Sequence, residues 1–326
     1  MRKWLVVGLL IVTLSGVAFA ATYEWCAGAV GGGWYTMAAG IAELVKEKCP
    51  DINIKVLPGA GVANSIRVGT GKTPFGWGLS PFINAAVKGR YPYKRAYPDL
   101  TTVGADFSPS PLNFVAADDK YANVHTIADF VKLIKKGKPV RIAVTKVGSA
   151  DEFSFNKILA FYGLSVKDIE KAGGKVFYAG YAEQVTLFRD RHVGFVFNML
   201  AYPASAVVEM GMGRKLHLLD FPDDLCDKLV KDMGYKVIVI PHSAYPKASN
   251  KKDIKSLGMA SVIMAYKKVP VDVVYRLTKV LCENVERLKQ IHASMAAFKP
   301  EIGWKNTGGP LHPGAEKYYK EKGYLK

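Results

Sequence analysis

Cysteine is scarce in this chain, and so is every pattern that would make it catalytic or metal-binding. Only Cys26, Cys49, Cys226 and Cys282 occur in 326 residues. None forms a CxxC pair and no two histidines have metal-ligand spacing, which argues against a zinc site. No G-x-S-x-G elbow is present, and no Ser/His/Asp or Cys/His set is suggested by placement. Asp151 and Glu152 are adjacent on a helical pattern, where neighbours point in different directions, so they make no catalytic pair. GTGKT at 69–73 resembles the tail of a phosphate loop, but it lacks the preceding glycine and leads into a strand. The expectation is a protein that is not an enzyme and needs neither cofactor nor metal.

Long apolar runs are missing too, except at the start. Arg2 and Lys3 precede an apolar stretch from Trp4 to Val17, and Ala18-Phe19-Ala20 follows as an A-x-A cleavage site. Residues 1–20 therefore read as a signal peptide, too short and too interrupted to anchor the chain. The expected mature protein is periplasmic and has about 306 residues.

Acidic residues are outnumbered, 28 against 45 Lys and Arg, for a formal charge of +17 that falls to +15 once Arg2 and Lys3 are removed. The basic residues are scattered and lack interleaved aromatics. They read as a solvated surface that attracts small anions, with no nucleic acid as partner.

Against these absences stand repeated strand–loop–helix corners. Ile52–Leu57 alternates like a strand, Pro58-Gly59-Ala60-Gly61 breaks it, and Val62–Val68 has helical spacing. Thr73–Leu79 is again strand-like before Ser80-Pro81, a serine cap with proline at the first helical position. Similar corners occur at Thr22–Ala27 with Gly31-Gly32-Gly33 and Trp34–Lys48, and at Val140–Thr145 with Val147-Gly148-Ser149 and Asp151–Tyr162. Helix N-termini carry partial positive charge and gather beyond the strand ends of open α/β sheets, which is where ligands bind.

The alternation continues with Leu112–Ala116, a helix Ile127–Lys135 introduced by Thr126, Val176–Tyr178, Ala182–Arg189, Gly194–Phe197, Asp223–Met233 and Lys236–Ile240. A strand at Ser261–Ala265 and a long helix at Val271–His292 close the pattern, before a last helix from about Gly314. This is an α/β chain with mostly parallel sheets, laid out as two lobes. Lobe I takes 21–118 plus about 242–326, and lobe II about 119–241. In an oxidising compartment an even cysteine count favours disulfides. Cys26 lies on the first strand and Cys49 closes the helix that folds back along it, so Cys26–Cys49 is the expected pair, leaving Cys226 with Cys282. Free buried thiols are the alternative.

Six segments, in order, resemble the solute receptors of tripartite ATP-independent periplasmic (TRAP) transporters of the TAXI subgroup. WYTMAAGIAELV from Trp34 is similar to that family's first helix, and PGAGVANSIRVGTGKTPFGWGLS to its G-G-S-x-x-N-x-x-x-L segment. AVTKVGSADEFSFNKILAFYGLS from Ala143 resembles its G-S-G loop and following helix. YAEQVTLFRDRHVGFVFNMLAYPASAV from Tyr181, VPVDVVYRLTKVLCENVERL from Val269 and LHPGAEKYYKEKG from Leu311 match its later elements. The resemblance implies a two-lobe, type II periplasmic-binding-protein fold with a hinged ligand cleft. It also implies delivery of a small organic anion, typically a carboxylate, to TRAP membrane subunits. A ligand-sensing periplasmic subunit that signals to a membrane kinase is the alternative use of such a fold.

Three positions depart from that pattern: Gly61 replaces its serine, Ala150 its second glycine, and Leu79 a residue often polar. Aromatics crowd the expected cleft instead (Trp34, Tyr35, Trp77, Phe82, Tyr181 and Tyr202), which suggests a ligand with an apolar body. Gly32, Gly33, Trp34 and Tyr35 would supply backbone N–H groups and a wall. Asn64 would orient a carboxylate or cap its helix, and Ser80 would donate to the ligand or serve as a cap. Gly148 and Ser149 would serve from the second lobe, Asn198 from a strand end. Lys146 and Arg67 are the nearby cations.

Overall fold

The structure is a computed structural model describing residues 21–326, so the expected signal peptide lies outside the described residues. Three strand–helix pairs come first: β1 (Ala21–Cys26) with α1 (Gly33–Lys48), β2 (Ile52–Leu57) with α2 (Gly61–Gly69), and β3 (Phe75–Leu79) with α3 (Ser80–Lys88). A long strand β4 (Leu100–Ala117) leads to α4 (Asp118–Tyr121) and α5 (Ile127–Lys135). Next come β5 (Arg141–Val144), α6 (Ala150–Phe161), α7 (Val166–Lys171), β6 (Lys175–Tyr178) and α8 (Tyr181–Arg189). They are followed by β7 (Phe195–Met199), α9 (Ser205–Gly213), β8 (Leu216–Leu218), α10 (Asp223–Met233) and β9 (Lys236–Ile240). The second long strand, β10 (Ile254–Tyr266), precedes α11 (Val271–Glu283), α12 (Val285–Ile291) and α13 (Pro313–Glu321).

The strands run in the order β2-β1-β3-β10-β4-β7-β5-β6, with β8 on β4 and β9 on β10. β1–β2, β1–β3, β5–β6 and β5–β7 are parallel, whereas every pairing of β4 and β10 is antiparallel. These two strands join the halves of the sheet. β4 pairs with β10 from Leu100 to Pro111 and then with β7 from Leu112 to Ala116. β10 pairs with β9 over Ile254–Gly258 and with β3 over Ser261–Ala265. Its register against β4 slips at Ala260/Val262 and again at Ile263/Met264, and such irregularities bend and twist a sheet locally. The residues expected as the short strands Leu112–Ala116 and Ser261–Ala265 are thus parts of much longer strands. Both are almost wholly buried, and a strand covered on both faces gives a continuous apolar run with no alternation to mark its ends.

Helices cover both faces. One cluster, with Trp25, Met37, Ile41, Trp77, Phe107, Leu277, Leu281 and Tyr318, packs α1, α11 and α13 on the first half. A second runs from Phe82 and Ile83 through Phe114 to Phe130, Phe155 and Phe195, joining the two halves. A third lies beneath α8 and α9, around Phe188, Val207 and Met210. The expected caps hold at α5, where Thr126 Oγ1 accepts from the Asp129 N–H and the Asp129 carboxylate accepts from the Thr126 N–H. The long helix expected over Val271–His292 is two helices broken at Asn284, whose Nδ2 donates to the Val280 carbonyl. That local bond competes with helix continuation.

The expected Cys26–Cys49 disulfide is absent, and all four cysteines are free and buried. Cys26 ends β1, with its thiol donating to the Phe75 carbonyl and accepting from the Thr73 hydroxyl. Cys49 sits just before β2, whose first residue Ile52 pairs with Ala21 at the other end of β1. A helix that folds back along a strand finishes at the strand's start, roughly five residues or ~17 Å from its end, and a disulfide spans at most ~7 Å between Cα atoms. Cys226 and Cys282 likewise belong to different clusters.

Candidate functional site

The loops that follow β1, β2, β5, β6 and β7 open onto one cavity of about 430 Å³ between the halves of the sheet. Gly28–Val30 and Gly32–Trp34 approach from the first loop, and Pro58–Gly61 from the second. Thr145–Val147 and Ser149–Asp151 come from the third loop, Gly180 and Tyr181 from the fourth, and Met199–Ala201 from the fifth. Leu79 ends β3 there, and Ser110 reaches the cavity from β4. All of these strands except β4 contribute their C-terminal ends, the usual ligand crevice of an open α/β sheet.

Four helices begin at this cavity: α1 after Gly32, α2 after Ala60, α6 after Ser149 and α8 after Gly180. The first N–H groups of a helix have no acceptor within it and carry the positive end of its dipole. The four are not equivalent. The first turns of α1 and α2 contain no acid, whereas α6 begins with Asp151 and Glu152 and α8 carries Glu183. The N-terminal ends of α1 and α2 are thus free of an acid of their own, whereas those of α6 and α8 are not.

Of the residues expected at the site, Gly32, Gly33, Trp34 and Ser149 line the cavity. Gly32 lets the chain pass under the Tyr181 ring, since a Cβ there would lie 2.9 Å from that ring. Trp34 stacks on Trp77, with centroids 5.9 Å apart. Ser149 Oγ accepts from the Glu152 N–H at 3.1 Å and so caps α6. Gly148 sits one residue outside, at φ +84°, and its N–H donates to Glu152 Oε2. That left-handed turn suits glycine.

The other four expected residues stand off the cavity. Asn64 is fully buried: its Nδ2 donates to the carbonyls of Cys26, Ala27 and Trp77, and its Oδ1 accepts from the Ala60 N–H. It ties the β2–α2 loop to the ends of β1 and β3. Asn198 is also fully buried, accepting from Asn113 and donating to Gln184. Asn113 in turn donates to the Leu200 carbonyl, which fixes the loop that forms part of the cavity wall. Tyr35 packs on the first-half core. Ser80 is the first residue of α3, with Leu79 at the cap position and no side-chain capping bond, and it faces a separate surface pocket with Pro81, Arg90 and Tyr91. Among the expected aromatics only Trp34 and Tyr181 reach the cavity. Arg67 donates to the Pro58 carbonyl at 2.9 Å, holding the glycine loop from outside.

Sequence reasoning did not single out Thr145, Met199–Ala201, Ser110 or the carboxyl of Asp151 as cavity groups. Asp151 Oδ2 accepts from the Met199 N–H at 2.8 Å and from the Tyr181 hydroxyl at 3.2 Å. Burial pushes this carboxyl above the usual carboxylate range, and burial also raises Tyr181, with Asp151 adding to the shift. The Pro109-Ser110-Pro111 run was a visible signal for Ser110, since proline cannot donate within a central strand. Lys146 brings a cation to the edge. Val30 and Val147, exposed by 64% and 73%, leave apolar groups at the mouth. The wall is otherwise apolar, with Trp34, Met37, Leu79, Met199 and Leu200. Such an arrangement offers a small solute backbone N–H groups and apolar surface.

Solved structures share this architecture. MatC from Rhodopseudomonas palustris with bound malate aligns with a TM-score of 0.56 and 13% identity, over 94% of this chain and 99% of that one. The periplasmic binding protein BugD gives 0.52 and 16% over 94% and 98%. PhnD1 from Prochlorococcus marinus, in complex with methylphosphonate, gives 0.50 and 12% over 93% and 99%. At these identities the likeness establishes the fold, that of a type II periplasmic binding protein. The pattern of the NMT1-like family matches residues 26–323, nearly all of the described chain, and the protein belongs to that family.

Proposed function

We propose that this protein is the extracytoplasmic solute receptor of a TRAP transporter of the TAXI type, exported by a cleaved signal peptide. It binds a small organic anion, a carboxylate by preference, between its lobes and delivers it to membrane subunits. The observation that carries the reading is the convergence of four helix N-termini on one apolar cavity, two of them free of acidic side chains. Anions bind at such ends without a dedicated cation. The anionic ligands of MatC and PhnD1, malate and methylphosphonate, fit the same logic.

The lobes meet in β4 around Pro109–Pro111 and in β10 around Gly258–Val262, where the register slips. Two antiparallel strands with local irregularities allow hinge closure with few backbone changes. Native mass spectrometry of the mature protein, followed by release of anything bound, tests the reading. A co-purifying carboxylate supports it. An empty protein whose melting temperature no organic anion raises overturns it.

A further inference from the structure

The two sides of the cavity differ in what they offer a ligand. The α1 and α2 side presents helix N-termini with no acid in their own first turns. The opposite side presents Asp151, 4% exposed, with both of its bonds to Met199 and Tyr181 falling on Oδ2. Beside that carboxyl, and near enough to favour its charged form, lies Thr145 Oγ1, a cavity-lining hydroxyl on a residue only 5% exposed that makes no hydrogen bond of normal geometry. A buried hydroxyl without a partner is uncommon and calls for an explanation, and a ligand group supplies one here. A buried carboxyl in the same wall accepts from a ligand donor, and a cationic donor favours its ionised form against the cost of burial.

We propose that Asp151 and Thr145 form a subsite that selects, among small anions, those carrying a hydrogen-bond donor on the body of the molecule, an ammonium or a hydroxyl. The anionic group lies toward α1 and α2, and the donor points at Asp151. This deepens the receptor reading above and rests on it. The single carboxylate in the wall also disfavours a ligand that would set a second carboxylate against it.

Matched 2-amino, 2-hydroxy and 2-oxo acids, built on isobutyl, benzyl and carboxyethyl side chains, isolate the donor while holding the anion and body constant. Calorimetric titration of the mature protein is expected to show the amino or hydroxy member of at least one set binding tenfold or more tighter than its oxo partner. Asp151→Asn keeps an acceptor for Met199 and Tyr181, so it preserves the fold, and it is expected to shrink the gap below threefold. Thr145→Val, nearly equal in volume, is expected to weaken the donor-bearing ligands alone. Equal binding of oxo and donor-bearing partners by the wild type overturns the subsite, as does a full preference retained by Asp151→Asn. Failure of every acid to bind overturns the anion-receptor reading itself.

Discussion

Gly61 at the start of α2 touches Ala150 at the start of α6 across the two halves of the sheet, so closely that a Cβ at position 61 would lie 3.1 Å from the Ala150 Cβ. The resemblance described above places a serine here, and this contact is a physical reason for glycine in this chain. Gly61→Val adds a branched side chain where the two helix ends meet. It should hold the lobes apart, weakening ligand binding by at least about tenfold, or ~1.4 kcal/mol, while shifting the ligand-free melting temperature little. Calorimetry together with small-angle scattering of the ligand-bound form checks this. Unchanged affinity and compaction would show that the contact is not needed for closure.

Asn64 donates to three carbonyls and accepts one N–H from within a fully buried position. Asn64→Ala leaves those groups without partners, at a cost of about 2–3 kcal/mol, measurable by urea unfolding. Asn64→Asp should be worse, because a carboxylate donates nothing and faces three carbonyl oxygens. If the aspartate variant proves as stable as the wild type, the assigned geometry is wrong.

Protonation of His312 removes a cap. Its Nδ1 accepts from the Gly314 N–H at the start of α13, and its Nε2 lies 3.2 Å from the Lys267 carbonyl, so Nε2 carries the proton. Burial holds both His312 and His292 below the ordinary histidine range. A depressed folded-state pKa means that the stability is fully present above about pH 6.5, the unfolded value, and is lost as pH falls through the folded value. The melting temperature should therefore fall as pH drops from 7 toward 5. His312→Asn, which can still cap, should flatten that slope. An equally steep slope in the variant would shift the blame to other groups.

The four buried thiols make a redox prediction. Burial raises the thiols of Cys26, Cys226 and Cys282, the second to about 11 and the third to about 12, and the thiolate is the reactive form. An aromatic disulfide reagent should label none of the four quickly in the native protein and all four after unfolding. Reductant should leave the melting temperature unchanged. A drop of several degrees on reduction would mean that a disulfide forms after all.

How much of this was legible can be judged residue by residue. The α5 cap was readable from Thr126 because a capping box is local. The bounds of α10, Asp223–Met233, were readable from acidic residues at its start and Gly234 at its end, at φ +70°. The glycine corners were readable for the same reason, and Gly32, Gly33, Trp34 and Ser149 do line the cavity. Asn64 and Asn198 gave no such signal. Their types suit a ligand or a carbonyl equally well, and only their neighbours decide.

The sequence by itself determined the α/β alternation, most helix positions and the corners whose backbone lines the cavity, because bends, caps and apolar periodicity act over a few residues. The tertiary structure alone decided that β4 and β10 are continuous strands joining both halves. It alone decided that Cys26 and Cys49 lie at opposite ends of β1, and that Asp151 and Thr145 line the same cavity as the helix ends of the other half. These depend on strand register and side-chain direction between residues far apart in the chain. No local pattern encodes them, and they are fixed only when the sheet and its covering helices pack.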